Sequence, residues 1–433
     1  MDIRLQLDIP VKYAADICIV GAGPGGIAAA VTAARRGHRV LLMESSAMPG
    51  GMSTAALVPM FMSLTDGIHF LCDGFGREII YGLDSSGRSE IDHETLKLLY
   101  ERLLSDSGAE VLYYSRLAAI RKENGRIAQG VFAGPSGLFA VTAEQFVDGT
   151  GDGTLAFLAG SPFDLGTPES GELMPASLLS LWTGYDFDAY LKGDAHNHRD
   201  PKMLQLLEDA FRNGELSQED YHHTGIFPVT EFTAAANLGH VYQVNPTDEQ
   251  SLSNAIRENR RLLQEYQAFY RNHIDGFAKA RIIATASVLG IRESRRIRGQ
   301  YTLTLQDYLN RASFQDEIER NNFPIDIHPP KGKAGVEAHK AQFGSTRFAK
   351  GESYGIPYRI LLPQKQQNLL LCGRCVSAER PVYASIRVIP ACYITGQAAG
   401  LAAALAIERH ISPNDINRDE LRTQLRRLGA FFH

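Results

Sequence analysis

Asp16-Ile17-Cys18-Ile19-Val20-Gly21-Ala22-Gly23-Pro24-Gly25-Gly26-Ile27-Ala28-Ala29-Ala30 is the stretch whose reading decides the fold. An apolar run enters a glycine turn, and an Ala-rich segment leaves it. Gly21, Gly23 and Gly26 fit G-x-G-x-x-G. The first glycine permits a tight turn, the second lets a pyrophosphate approach the backbone, and the third lets helix and strand pack closely. The following helix aims its N-terminal N–H groups and positive dipole end at the anion. Glycine clusters also build ordinary loops, so the context decides. Residues 27–36 read as a helix, Gly37 as its stop and 39–43 as a second strand. Glu44 ends that strand about 20 positions after the glycines, where an acid takes up a ribose hydroxyl pair. This order predicts a dinucleotide-binding βαβ unit.

The chain has 433 residues, more than a single average domain, which predicts two domains or one large core with an insertion. A hydrophobic content of 44% with 21% charged residues is ordinary globular composition. The formal charge of −5 and the lack of a long basic run argue against a nucleic-acid partner. Residues 1–13 carry Asp2, Arg4, Asp8 and Lys12 and have no apolar core of a secretory signal. The longest weakly polar run, 398–407, is too short to span a bilayer. Five cysteines, an odd number, fit a reducing compartment, so the expected location is cytoplasmic, without a membrane partner.

Residues 49–61 (PGGMSTAALVPMF) follow Glu44 closely and are small and apolar, so they are expected to run back along a bound nucleotide. Helices are expected at 67–81 and 92–107, then strands at 110–114, 118–122, 126–133, 137–143 and 144–147, with Asn124-Gly125 as a hairpin turn. Asp148-Gly149-Thr150-Gly151-Asp152-Gly153 makes a second tight backbone site. It is too short for an EF-hand loop and lacks the closing glutamate. The middle, 161–350, is more charged. It reads as helices at 201–213, 251–273 and 276–289, a strand at 300–305 and a mobile loop at 329–347. The last third resembles the first in composition. It holds an apolar strand at 368–372, Gly373-Arg374-Cys375, an Ala/Gly-rich helix at 391–407 behind Pro390, and a terminal helix at 418–428 capped by Asn417 with Glu420. The expected architecture is α/β. A Rossmann-like domain, a parallel sheet with a β-meander, is formed by 1–160 and 351–433, and an α+β substrate domain is inserted over 161–350.

With these pieces laid out, the chain resembles the FAD-dependent oxidoreductases of the glutathione-reductase structural class, in the branch of fumarate-reductase-like flavoproteins. The resemblance is carried by the glycine turn with Glu44, residues 50–54, 148–153, 290–296, 354–363, 368–377 and 387–400, which keep the family's order. It implies FAD as cofactor. Gly21, Gly23 and Gly26 would line the pyrophosphate, Glu44 would bind the adenosine ribose, and Pro24, Gly25, Ser45 and Leu117 would also contact the cofactor. Gly50, Gly51, Met52 and Ser53 would pass the flavin ring. Gly151 and Asp152 would approach from the second site, Gly373 and Arg374 would lie by the ribityl–phosphate arm, and the helix beginning after Val388 would point at the flavin's N1/O2 edge, where reduced flavin is negative. Many relatives have Gly-Asp where this chain has Gly373-Arg374. No His, Cys or Tyr lies between Glu44 and Phe61, so the FAD is expected to be non-covalent.

Candidate catalytic residues are Arg292, Tyr358 and Arg387. Arg292, with Arg295 and Arg296, belongs to the densest basic cluster, suited to a carboxylate or a developing enolate; the alternative is a solvated turn paired with Glu293. Tyr354 and Tyr358 are proton donors or packed core hydroxyls, and Arg387 is positive charge beside the flavin or a surface arginine. Cys372 and Cys375 form a C-x-x-C that invites a disulfide-reductase reading, but no helix opens between them to activate a thiolate. His196/His198 and His222/His223 lack neighbouring ligands at metal spacing, so no metal is expected. The resulting expectation is hydride transfer between FAD and a small or medium organic substrate. Rival readings are a flavin-dependent isomerase, an electron-relay subunit with a protein partner, and the disulfide reductase; a homo-oligomer also remains open.

Overall fold

The structure is a computed structural model that describes residues 6–62, 64–195, 200–220, 225–328 and 333–432. Its organising sheet begins with β1 (Val11–Val20), α1 (Pro24–Ala34) and β2 (Val40–Met43). Four strands follow: β3 (Glu110–Leu112), β4 (Arg116–Glu123), β5 (Arg126–Gly134) and β6 (Gly137–Asp148). The order across the sheet is β3-β2-β1-β6-β5-β4. β1, β2 and β3 are parallel neighbours, and β4-β5-β6 is an antiparallel meander.

Residues 137–148 form one unbroken strand where two were expected. The second half of β6 carries both partnerships: β1 lies parallel on one side, and the returning strand Leu369–Leu371 lies parallel on the other. Residues 17–20 of β1 are buried on both faces, which is why they read as a continuous apolar run rather than an alternation. At the β4–β5 hairpin Asn124 (φ 49°) and Gly125 (φ 78°) both take positive φ, the requirement of a type I′ turn.

Helix Ile389–Arg409 lies against α1. A Cβ on Gly396 would come within 2.1 Å of Gly25 O, and one on Gly400 within 2.2 Å of Ala29 O, so two backbones meet where only glycine fits. This helix is 21 residues long, twice the apolar run noticed in the sequence. It is long and apolar enough to cross a membrane, yet it is buried inside the fold.

A second hydrophobic core gathers around Trp182, Tyr266, Tyr270 and Phe277, with Leu57 as its contribution from the first third of the chain. It sits between the helix Glu249–His273 and a four-stranded antiparallel sheet, in the order Gly225–Pro228, Ala234–Asn237, Ser180–Thr183, Arg281–Thr285. The last strand corrects the expected helix over 276–289. Its β-branched Ile282, Ile283 and Thr285 suit a pleated edge, and a partner strand supplies the hydrogen bonds. Residues 333–343, expected to be a loop, form a helix. No strand forms over 300–305. Ile297, Leu303, Tyr308, Ile318 and Phe343 pack into the first core, so the packing changes near residue 290 rather than at 350.

Candidate functional site

The glycine turn is closed by backbone. Gly21 takes φ +96°, and a Cβ there would lie 2.7 Å from Gly149 O. A Cβ on Gly26 would lie 1.9 Å from Gly21 O. Gly21 N–H donates to Met43 O at 2.7 Å, and Gly149 N–H to Val20 O at 2.8 Å. α1 therefore starts directly behind the end of β1, with Gly23 as N-cap, Pro24 in the first turn and no side chain capping it. By contrast, Asp92 and Asp248 cap the helices they begin. The first N–H groups of α1 are thus left for an anion.

Glu44 sits at the end of β2. Its Oε2 accepts from Ala22 N–H at 2.8 Å and its Oε1 from Ser46 N–H at 2.7 Å, which fixes the carboxylate beside the turn with lone pairs to spare for a diol. Ser45 Oγ leans on Glu44 Oε1 at 3.3 Å. Ser115 N–H donates to Glu44 O at 2.8 Å, which brings the start of β4 and the buried Leu117 to the same end of the site.

The second glycine site lies opposite. Arg374 Nη2 donates to Asp152 Oδ1 at 2.8 Å and passes beneath Gly151, where a Cβ would lie 2.8 Å from it. Arg295 Nη1 donates to Asp152 O at 3.2 Å, with its guanidinium over the Phe157 ring at 4.2 Å. Arg374 Nη1 is buried with no hydrogen-bond partner among the described residues. A phosphate oxygen is the chemistry that such a group lacks. Gly373 takes φ +72°, and its N–H donates to Thr395 Oγ1 at 2.9 Å inside the helix Ile389–Arg409.

The loop 50–53 crosses between these parts. Gly50 N–H donates to Ala22 O at 2.7 Å, and a Cβ on Gly51 would lie 3.2 Å from Gly23 Cα. Met52 stands beside Gly51 in the short 3-10 turn Gly51–Ser53. The Ser53 side chain turns inward, onto Gly50 O at 2.8 Å and Tyr100 Oη at 3.1 Å, and Tyr100 bonds to Tyr393. The loop is thereby tied to the helix that begins after Val388, whose N-terminus has no side-chain cap. It also meets the second core: Ser287 N–H donates to Ala55 O at 2.9 Å. A cradle of glycines, a held acid, two uncapped helix starts and a buried unsatisfied guanidinium together fit a dinucleotide of the FAD type.

The basic cluster 292–296 disperses. Arg292 is buried. Its Nη1 donates to Pro175 O at 2.9 Å and Ser177 Oγ at 3.0 Å, and its Nη2 to Asn237 Oδ1 at 3.2 Å. Burial, then the nearby charge of Arg387, pushes its pKa down to about 10, against the pull of Asp326 and Asp220. Arg387 Nη2 donates to Asp326 Oδ2 at 2.9 Å, and its Nε is buried without a partner among the described residues. The structure thus brings Arg292 and Arg387 together at the seam between the two cores. Arg296 instead pairs with buried Glu293, which also holds Arg380 at 3.0 Å.

Tyr358 lies elsewhere. Its ring is fully buried, its hydroxyl donates to Pro413 O at 3.1 Å, and Arg418 stacks on it at 4.6 Å. That placement corrects the expectation of a proton donor, because core contacts consume the hydroxyl. Tyr354 is likewise bonded inside the core, to Ser385 and Asn321. Cys372 and Cys375 are free and buried, and burial first, then Asp148, pushes both thiols well above their ordinary pKa. His196, His198, His222 and His223 lie outside the described residues. Among the described residues no group of His, Cys, Asp and Glu is arranged to hold a metal. Sequence reasoning does not single out Asp220, His240, Asp326 or His328. They come from distant segments, and only the short alternation Asp326-Ile327-His328 hinted that two polar side chains share a face.

A sequence profile of the family described as FAD dependent oxidoreductase matches residues 16–425. Sarcosine oxidase subunit alpha of Rhizobium meliloti is 53% identical over 36 residues, 8% of this chain and 4% of that subunit. Among solved structures, a geranylgeranyl bacteriochlorophyll reductase-like protein of Thermoplasma acidophilum aligns over 96% of this chain and 83% of its own, at 16% identity and a TM-score of 0.44. A p-nitrophenol 4-monooxygenase of Pseudomonas putida aligns over 96% and 86%, at 10% identity and a TM-score of 0.43.

Proposed function

The chain belongs to the FAD dependent oxidoreductase family, and on that premise we propose that it transfers a hydride between non-covalently held FAD and a small or medium organic substrate at the seam between its two cores. The observation that carries this reading is the meeting of Arg292 and Arg387 at that seam, where Arg387 directly precedes Val388, the N-cap of the long helix. Bound FAD supplies a two-electron acceptor and donor.

The chain's own residues do the rest. Gly21, Gly23, Gly25 and Gly26 admit the pyrophosphate to the backbone, and Arg374 offers it a charge. Glu44 holds the ribose. The uncapped helix start favours negative charge on the reduced ring edge. Arg292, fixed by Pro175 O, Ser177 and Asn237, and Arg387, fixed by Asp326, orient an anionic or carbonyl-bearing substrate and exclude alternative poses. The disulfide-reductase reading finds no support, since both thiols of the C-x-x-C are buried and disfavoured as thiolates.

The test is anaerobic reduction of the purified yellow protein by a panel of alcohols, amines, hydroxy acids and amino acids, followed by flavin bleaching. Bleaching by one class supports the reading. A colourless protein that FAD does not reconstitute overturns it, and turnover without any electron acceptor points to the isomerase.

A further inference from the structure

A chain of buried polar groups continues from the arginine pair. His240 Nδ1 lies 2.8 Å from Asp220 Oδ2. His240 Nε2 lies 3.0 Å from His328 Nδ1, and His328 Nε2 lies 3.4 Å from Asp326 Oδ2. That same Oδ2 accepts from Arg387 Nη2 at 2.9 Å. The side chains of Asp220 and His240 are each 1% exposed, whereas Asp326 keeps 30%. The chain has a closed end in the second core and an open end held by Arg387.

Two neutral imidazoles satisfy the two ring hydrogen bonds: His240 Nδ1–H donates to Asp220 Oδ2, and His328 Nδ1–H donates to His240 Nε2. His328 Nε2 is then the acceptor nitrogen, 3.4 Å from Asp326 Oδ2 at the open end.

The location matches the chemistry. His240 pairs in register with Ser177, the residue that holds Arg292. Arg387 directly precedes Val388, the N-cap of the long helix. Among the described residues, the charged and titratable groups facing the relay include Arg292 and Arg387, Tyr242 beside Asp220 and Arg292, Glu219 beside Tyr242, and His339 beside Asp326.

We propose that Asp326, His328, His240 and Asp220 form a buried proton relay that takes up the proton released when a substrate carbon gives its hydride to the flavin. This rests on the hydride-transfer reading above. In an alcohol or amine donor the C–H bond breaks with its electron pair, which leaves with the hydride to the bound FAD. The O–H or N–H bond breaks too, its proton enters at the Asp326 end, and a C=O or C=N bond forms. His328 Nε2 accepts that proton, and the pair passes from neutral to one shared positive charge, balanced by Asp326 and Asp220. The reverse direction returns both. Negative charge added at the seam by flavin reduction raises the proton affinity of the pair even without substrate, so the relay is readable in the holoenzyme alone.

The experiment follows the FAD midpoint potential of the holoenzyme across the histidine titration range, in parallel with ¹⁵N-histidine NMR. A native relay steepens the potential by one proton per two electrons, about 30 mV per pH unit, and gives a downfield ring proton coupled to both His240 and His328. His328→Gln keeps the yellow colour and loses both signatures. Asp326→Asn, at the open end, serves if His328→Gln does not fold. A yellow, folded variant with an unchanged potential slope overturns the relay while leaving the hydride-transfer reading intact. A chain that holds no FAD fails before any titration and overturns both.

Discussion

The two halves of the site are built from different material. The nucleotide cradle is backbone: Gly21, Gly26, Gly51 and Gly373 hold their places because a Cβ would collide or because φ is positive. The seam is side chain: Arg292, Arg387, Asp326, His240 and His328 are held by one another and by Ser177 and Asn237. Backbone recognition depends on local spacing and tolerates little change. Side-chain recognition depends on long-range folding and is easily retuned, which suits a fixed cofactor facing a variable substrate.

That contrast is sharpest at the cradle. Gly26→Ala places a methyl 1.9 Å from Gly21 O. The expected result is a protein isolated without flavin and destabilised by about 3 kcal/mol, read by absorbance and thermal unfolding. A yellow, fully stable variant breaks the comparison at its strongest point. The seam predicts the opposite pattern: Arg387→Gln retains its flavin spectrum and loses activity by roughly 100-fold.

The pH dependence follows from Arg292. Its guanidinium is charged below about pH 10 and neutral above. Binding of an anionic donor is therefore full below that pH and declines as pH rises through it, a change seen in KM with the flavin spectrum constant. Replacing Glu44 with Gln weakens FAD binding by roughly 10-fold, the worth of a charge-assisted hydrogen bond, measured by flavin release. The smallest effects belong to residues outside both regions. Tyr358→Phe loses a hydroxyl bond to Pro413 O and about 1 kcal/mol of stability, with turnover unchanged.

The same division explains what the sequence discloses. The glycine turn, Glu44, the Asp148–Gly153 site and the returning strand and helix are legible because each is a local pattern with a backbone cause. Residues 276–289 read as a helix on local composition, while the neighbouring strand Ser180–Thr183 draws Arg281–Thr285 into a sheet. Tyr358 draws attention by residue type, and only the packing against Arg418 and Pro413 places its hydroxyl in the core. Arg292 stands out by charge density, although nothing local separates it from Arg296, which folds onto Glu293 instead. The relay is illegible in the sequence because residues 220, 240 and 328 meet only through the tertiary fold.

The central claim is that FAD is held by the cradle and used at the seam. Anaerobic stopped-flow bleaching of the flavin by the best donor of the panel, in the native protein and in Arg292→Gln, tests it most directly. The account predicts two proteins with the same bound flavin and a hydride-transfer step about 100-fold slower in the variant. Equal bleaching rates at saturating donor, with the flavin spectrum unchanged, would contradict it.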